Sequence, residues 1–169
     1  TVIISSSLGL SYKSTADVSG AFTFSSVVPD DYTIYAGKWG YRTSCVMQTL
    51  IPGTPIVATI APGYYDDFTF DYGWAISGTS GNSWERGEPV GTYYGSSSES
   101  NPEFDVTTDC SDSCFVTDNG GAPYNATDVD NGNTILTSPV FDGTIYLTPT
   151  LSYYRRYLRS CFKFSEYAC

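Results

Sequence analysis

The sequence contains no histidine, a single methionine and few cationic residues. Without histidine, the chain lacks the commonest general base, the Ser-His and Cys-His nucleophile pairs and the ligand of most zinc sites. The sequence has eight Lys and Arg residues and 18 Asp and Glu residues, which gives a formal net charge of −10. Phosphate-binding surfaces need clustered cations, so we expect neither nucleic acid nor an anionic membrane as a partner.

Long apolar runs are also missing. No stretch approaches the roughly 18 apolar residues that a membrane-spanning helix requires. No charged region followed by an apolar run opens the sequence, which therefore reads as a mature form. Tyr, Thr, Ser and Gly are abundant and Lys is scarce, as is typical of secreted β proteins. We expect the protein outside the cell or on its surface.

The apolar residues follow the period of β-strands, and helical periodicity is almost absent. Five strands in the first sixty residues are predicted by the runs TVIIS, AFTFSSVV, DYTIYAGKWGY, SCVMQTLI and TPIVATIA. Turns are predicted at DVSG, VPDD and PG, and later strands at FVT, NTILTSPVFD and TIYLTPTLSYYRRYL. At Gly63 the composition shifts towards larger aromatic and more acidic residues. The sequence predicts an all-β protein with two sandwich-like modules, residues 1–62 and 63–169.

The run DVSGAFTFSSVVPDDYTIYAGKWGY resembles the later half of a carboxypeptidase regulatory-like domain, a prealbumin-like sandwich of secreted bacterial proteins. The matching residues are Asp17, Gly20, Phe22, Phe24, Val28, Pro29, Tyr32, Ile34, Gly40 and Tyr41. The resemblance implies a small extracellular sandwich whose first strands are largely missing from this chain.

The later motifs YDDFTFDYGWAISG, SWERGEPVGT, FVTDNGG, DVDNGNTILTSPVFD and PTLSYYRRYL look like a jelly-roll module. Such modules occur in surface and secreted proteins of Bacteroidetes-type bacteria. The resemblance implies an extracellular β module and names no reaction. Further strands usually follow at this point in such modules, so we expect the second module to be partial at its end.

Five cysteines offer several pairings. Cys110 and Cys114 close the polar run DCSDSC, and this spacing favours a local disulfide over reduced thiols. A zinc site there would need two further ligands nearby, and none is present. The odd number leaves at least one thiol or an intermolecular bond.

The run TDVDNG predicts either a calcium site or a polar turn. Asp128, Asp130 and Asn131 offer the hard oxygen ligands that Ca²⁺ prefers. The spacing resembles the opening of an EF-hand loop, but Pro139 occupies the twelfth position and no helices flank the run. A β-sandwich calcium site completed by Asp118, or by Asp66 and Asp67, therefore stays open beside an Asx-type turn.

Two further features concern glycans. Trp84 lies in a polar run and is the candidate for stacking on a sugar, although core packing explains most aromatic residues of sandwiches. Asn125 begins an N-A-T sequon, which matters only in a cell that glycosylates it.

Catalysis is not expected. Glu85, Glu88, Asp66 and Asp67 could supply a glycosidase pair, but sequence spacing does not identify one. The sequence contains no G-x-S-x-G nucleophile motif. We therefore expect a protein that is not an enzyme.

The missing strands of both modules predict open sheet edges, which invite pairing with another chain. We expect self-assembly into a fibre or surface layer by strand addition, with Val2, Ile3 and Ile4 as the donor anchors. The alternative is a calcium-stabilised, carbohydrate-binding accessory module of a larger secreted enzyme.

Overall fold

A computed structural model of the chain describes residues 1–94, 98–120, 129 and 131–156. These residues form strands and no helix, so the prediction of an all-β fold is confirmed. The strands are β1 (Val2–Ser6), β2 (Ser11–Ser14), β3 (Asp30–Ala36), β4 (Ser44–Leu50), β5 (Ala75–Gly78), β6 (Trp84–Gly87), β7 (Thr92–Tyr94), β8 (Ser98–Asn101), β9 (Cys114–Thr117) and β10 (Thr134–Thr137).

The chain divides into two compact units. The first comprises Thr1–Ala75, Thr108–Ser111 and Leu136–Leu147. The second comprises the described residues of Ile76–Thr107, Asp112–Ile135 and Thr148–Cys169. The predicted boundary at Gly63 does not coincide with this division, because residues 63–75 belong with the first unit. The assignment of the two stretches to sandwich modules stays a prediction.

The first unit is organised by one antiparallel sheet with the order β2-β1-β3-β4. Ile4 of β1 lies opposite Tyr12 on one side and Ile34 on the other. Alternate residues of β1 and β3 point to one face, because side chains change face at every residue of a strand. That face holds the buried core, which consists of Val2, Ile4, Tyr32, Ile34, Ala36 and Leu50.

Two of the predicted turns lie after β2 and after β4. The Asp17 carboxylate accepts hydrogen bonds from the backbone N–H groups of Ser19 and Ala21 and from the Ser19 hydroxyl. These bonds lower the pKa of Asp17 below its ordinary value, the Ser19 hydroxyl most. At the second turn, the N–H of Thr54 donates to the Ile51 carbonyl at 3.0 Å, and Gly53 takes the positive φ that the turn demands.

The opposite face of the sheet carries a disulfide between Cys45 and Cys110, whose Cα atoms are 6.4 Å apart. Cys45 lies opposite Tyr35, and the Tyr35 hydroxyl donates to the Cys110 carbonyl at 3.1 Å. The predicted Cys110–Cys114 disulfide is therefore wrong. Cys114 instead begins β9, where it lies opposite Gly87 of β6.

The remaining strands form two-stranded sheets. β6 pairs with β9 in antiparallel fashion, with Trp84 opposite Thr117. β7 pairs with β8, and an irregularity interrupts their register between Thr92 and Tyr93. β5 pairs with β10. The predicted strands FVT and NTILTSPVFD correspond to β9 and β10.

Candidate functional site

Two extended segments lie over the core of the first unit. Residues 22–27 and residues 56–60 were each predicted as part of a strand. Alternate side chains of residues 56–60 face the core, whereas in residues 22–27 the alternation ends after Phe24, because Ser26 takes a positive φ of 58°. The side chains that pack on the core are Phe22, Phe24, Val27, Ile56, Ala58 and Ile60. The residues between them in the second segment, Val57 and Thr59, are exposed. The two segments therefore behave as a second layer over the four-stranded sheet.

Neither segment takes part in a sheet, so the prediction of strands was wrong in this respect. Across the described chain, no backbone hydrogen bond involves residues 22–27 or residues 56–60. A backbone group buried without a partner costs free energy comparable to a lost hydrogen bond, so these groups need water or another chain. The second layer therefore packs side chains on the core as a sheet does, but its segments are not joined by backbone hydrogen bonds.

Tyrosine hydroxyls fix the end of the first segment. Tyr32 donates to the Val28 carbonyl at 2.8 Å, and the Val28 N–H donates to the Tyr12 hydroxyl at 3.3 Å. The two rings meet edge to face, with centroids 6.1 Å apart. Burial raises the pKa of Tyr32, and the neighbouring Tyr12 adds to the shift, so the hydroxyl stays protonated as a donor.

Hydrogen bonds from Gln48 and Arg42 fix the chain on either side of residues 56–60. The Gln48 side-chain amide donates to the Pro55 carbonyl at 3.1 Å, and the Arg42 N–H donates to the Ala61 carbonyl at 2.8 Å. In an extended chain, the polar groups of alternate residues point to opposite edges. The odd-numbered groups therefore point towards β4 and the residues before it. By the same alternation we expect the N–H and C=O groups of Ile56, Ala58 and Ile60 to point to the other side. They have no hydrogen-bond partner among the described residues, and we call this side the open edge.

Apolar surface remains uncovered around this layer. Val46 of β4 lies opposite Ile34 and shares its face, yet 58% of its surface is exposed. Val57 is 84% exposed on the outer side of the second segment. Uncovered apolar side chains beside unpaired strand-like backbone are the features of a surface that can accept a further strand.

The sequence-predicted donor strand lies elsewhere than expected. Val2 and Ile4 are buried in the core, and Ile3 is half-buried on the opposite face. β1 pairs with β2 on one edge and with β3 on the other, so its backbone groups are already used within the chain. The donor assignment of Val2, Ile3 and Ile4 is therefore wrong, because donation would break the central strand of the sheet.

The structure leaves the calcium prediction untested. Asp128 and Asp130 lie outside the described residues. Asp118 and Asn131 are described, and both take positive φ values, of 48° and 53°. No group of three or more Asp, Glu, Cys or His side chains suited to a metal ion occurs among the residues that the structure describes.

The other predicted acidic candidates serve local structure. The carboxylate of Asp66 accepts hydrogen bonds from the Phe68 N–H at 2.9 Å and from the Trp74 indole N–H at 2.8 Å. Asp67 is buried and accepts from the Thr69 N–H at 3.2 Å. These bonds fix the bend before β5, so both carboxylates have a structural explanation.

The glycan candidates are placed in part. Trp84 does not lie in a loop, because it is the first residue of β6, where it is half-buried. Its N–H donates to the Thr134 hydroxyl at 3.3 Å. Asn125 lies outside the described residues. Sugar stacking at Trp84 and glycosylation at Asn125 stay predictions.

An aromatic cluster in the first unit was not predicted. Trp39 contacts the rings of Tyr64, Tyr72 and Phe141 at centroid distances of 4.9 to 5.6 Å. The Trp39 indole donates to the Val140 carbonyl at 2.9 Å. This contact spans 101 residues of sequence, and no local pattern announces it. The cluster holds residues 140–142 against Trp39 and Tyr64 within the first unit.

Comparisons with known proteins add no assignment. No protein-family model, no curated protein and no solved structure matches this chain. No helix that could cross a membrane occurs in the described ranges of the chain.

Proposed function

We propose that this chain is a non-enzymatic, extracellular structural or adhesive subunit that assembles with further copies of itself by strand addition. The observation that carries the proposal is the open edge of residues 56–60. Its side chains already pack on a core, and its backbone groups have no partner among the described residues. An added strand would satisfy these groups and cover apolar surface at the same time.

The proposed location is supported by the disulfide. A bond between Cys45 and Cys110 persists in oxidising surroundings, which are found outside the cytosol. The resemblance to secreted bacterial modules agrees with this location. The absence of histidine and of a nucleophile motif supports a role other than catalysis.

The direct test is to examine the oxidised chain without any ligand by light scattering after size exclusion and by electron microscopy. We expect oligomers that grow with concentration and end as filaments, because an open head-to-tail contact does not close on itself. A chain that stays monomeric at high concentration would refute the proposal. A monomer whose thermal stability rises with calcium would instead favour the accessory module.

Two proline variants locate the contact. Ala58→Pro removes an N–H of the open edge that has no partner in the single chain, so the fold loses no hydrogen bond. Thr59→Pro is the matched control, because its N–H points to the opposite edge. We expect Ala58→Pro to abolish assembly and Thr59→Pro to retain it, with both variants showing the circular dichroism of the wild type. Equal assembly of the two variants would exclude the open edge as the contact.

A further inference from the structure

We propose that residues 147–153 are the strand that one copy donates to the open edge of residues 56–60 in the next copy. This inference rests on the proposed function and deepens it by naming the partner segment. It replaces β1 as the donor with a segment that belongs to none of the described strands.

The donor segment starts from a fixed base. The Trp39 indole holds the Val140 carbonyl, and the Asp142 N–H donates to the Tyr64 hydroxyl at 2.7 Å. A turn follows, in which the N–H of Tyr146 donates to the Gly143 carbonyl at 3.1 Å. Beyond this turn, residues 147–153 make no hydrogen bond to any part of the chain that the structure describes, and all seven are exposed. Residues 147–153 therefore follow a fixed turn, and their backbone has no hydrogen-bond partner among the described residues.

The donor segment has the alternation of a half-buried strand. Leu147, Leu151 and Tyr153 lie at odd positions and are 103%, 69% and 69% exposed. The even positions hold Thr148, Thr150 and Ser152. Such alternation is expected of a strand with one face on a core, yet this segment covers no core in the described chain. Its apolar row is suited to a face supplied by another molecule.

Pro149 determines the orientation of the added strand. Proline has no N–H, so its backbone must point away from the edge that receives the hydrogen bonds. With the odd side chains facing the core, only a parallel arrangement directs the even-numbered N–H groups to the open edge. In a parallel pair, residues directly opposite each other share a face but point their backbone groups in the same direction across the sheet. Thr148, Thr150 and Ser152 then bond with the open edge, and the backbone nitrogen of Pro149 lies on the edge that points away from it.

The side chains match in one register of this arrangement. Ile56 lies beside Leu147 and Ile60 beside Leu151, while the small Ala58 meets the compact ring of Pro149. On the outer side, Thr59 lies beside Thr150, and both are exposed in the single chain. A proline on the outer edge also prevents a further strand from adding there, which limits the contact to one donor.

The charges favour a second copy as the source of this strand. Thr1–Ala75 contains six Asp residues against three Lys and Arg residues, whereas residues 144–156 contain no acid and end in Arg155 and Arg156. The acceptor is therefore negative and the donor positive, within a chain of net charge −10. Complementary charge speeds the encounter of two copies that would otherwise repel each other.

A mixed crosslinking experiment tests the pairing between copies. Thr59→Cys and Thr150→Cys are made in separate chains, mixed under mild oxidation and analysed by peptide mass mapping. We expect a crosslink between positions 59 and 150 and none when either variant is oxidised alone. Assemblies that lack this crosslink would overturn the proposed strand and register.

A donor variant separates this inference from the function on which it rests. Leu151→Asp places a charge in the apolar row and is expected to reduce assembly at least tenfold, whereas Ser152→Asp in the polar row is expected to keep it. If the wild type assembles and Ala58→Pro blocks assembly while Leu151→Asp assembles normally, the donor is another segment and the proposed function stands. If the wild type never assembles, the function itself fails.

Discussion

Truncation of Ile4 is the most direct test of the role of β1. Its side chain is 0% exposed and lies between Tyr12 and Ile34 in the first unit. Replacing a fully buried isoleucine with alanine removes apolar contacts and leaves a cavity, at a cost of about 2–5 kcal/mol. A small domain has a total stability of about 5–15 kcal/mol, so Ile4→Ala should remove a large fraction of it.

Ile3→Ala is the matched control. Ile3 is the next residue of the same strand, is half-buried on the opposite face and loses the same atoms on substitution. The difference between the two variants therefore isolates burial in the core. We expect Ile3→Ala to cost about 1 kcal/mol, close to the average for a single substitution.

Urea denaturation followed by tryptophan fluorescence measures both variants. Trp39 and Trp74 belong to the first unit and Trp84 to the second, so a Trp84→Phe background confines the signal to the first unit. The dependence of the unfolding free energy on urea should be the same in all variants if only stability changes. Equal costs for Ile3→Ala and Ile4→Ala, or a cost below about 1 kcal/mol for Ile4→Ala, would refute the placement of β1 in the core.

Three further results follow from ionisable groups and the disulfide. The pKa values of Asp17 and Asp142 are lowered in the folded chain, chiefly by hydrogen bonds from the hydroxyls of Ser19 and Thr144. The two carboxylates therefore stabilise the fold above their ordinary pKa, and this contribution is lost as the pH falls through the folded pKa. Thermal midpoints should fall in acid, and they should fall less steeply in Asp17→Asn. Burial raises the pKa of Tyr32, so its contribution is present below the ordinary pKa and lost as pH rises; melts at alkaline pH should show a smaller loss in Tyr32→Phe. The Cys45–Cys110 bond closes a loop with a sequence separation of 65, and Cys45→Ser should cost about 4 kcal/mol in urea denaturation by the loop-entropy estimate, whereas Cys114→Ser should leave this bond intact.

Much of the first unit could be predicted from local pattern. The run TVIIS is apolar and β-branched and forms β1, and the run DYTIYA alternates at period two and forms β3. Asp17 and Gly53 belong to residue types that stabilise specific turns, and the turns occur where those residues lie. These features depend on a few neighbouring residues, which is why sequence alone identifies them.

The failures involve partners that are distant in the sequence. Cys110 bonds with Cys45 and not with nearby Cys114, because the face of β4 brings Cys45 close to the loop. Trp39 meets Phe141 and Val140 about a hundred residues later. Strand order likewise depends on which edges meet in space, so TVIIS could be recognised as a strand while its central position in the sheet could not.

The two segments of the second layer show what a periodic pattern does and does not report. Alternation records which side chains a folded chain buries, and residues 56–60 bury Ile56, Ala58 and Ile60 as their sequence predicts. Alternation does not show whether a neighbouring strand is present. Within the described chain, no backbone hydrogen bond joins residues 56–60 to another strand. Residues 147–153 present the converse case, with a strand pattern and exposure on both faces. Residues 56–60 have a strand pattern and a core but no hydrogen-bonded neighbour, and residues 147–153 have a strand pattern but no core to cover. This combination is expected when the two segments pair between different copies of the chain.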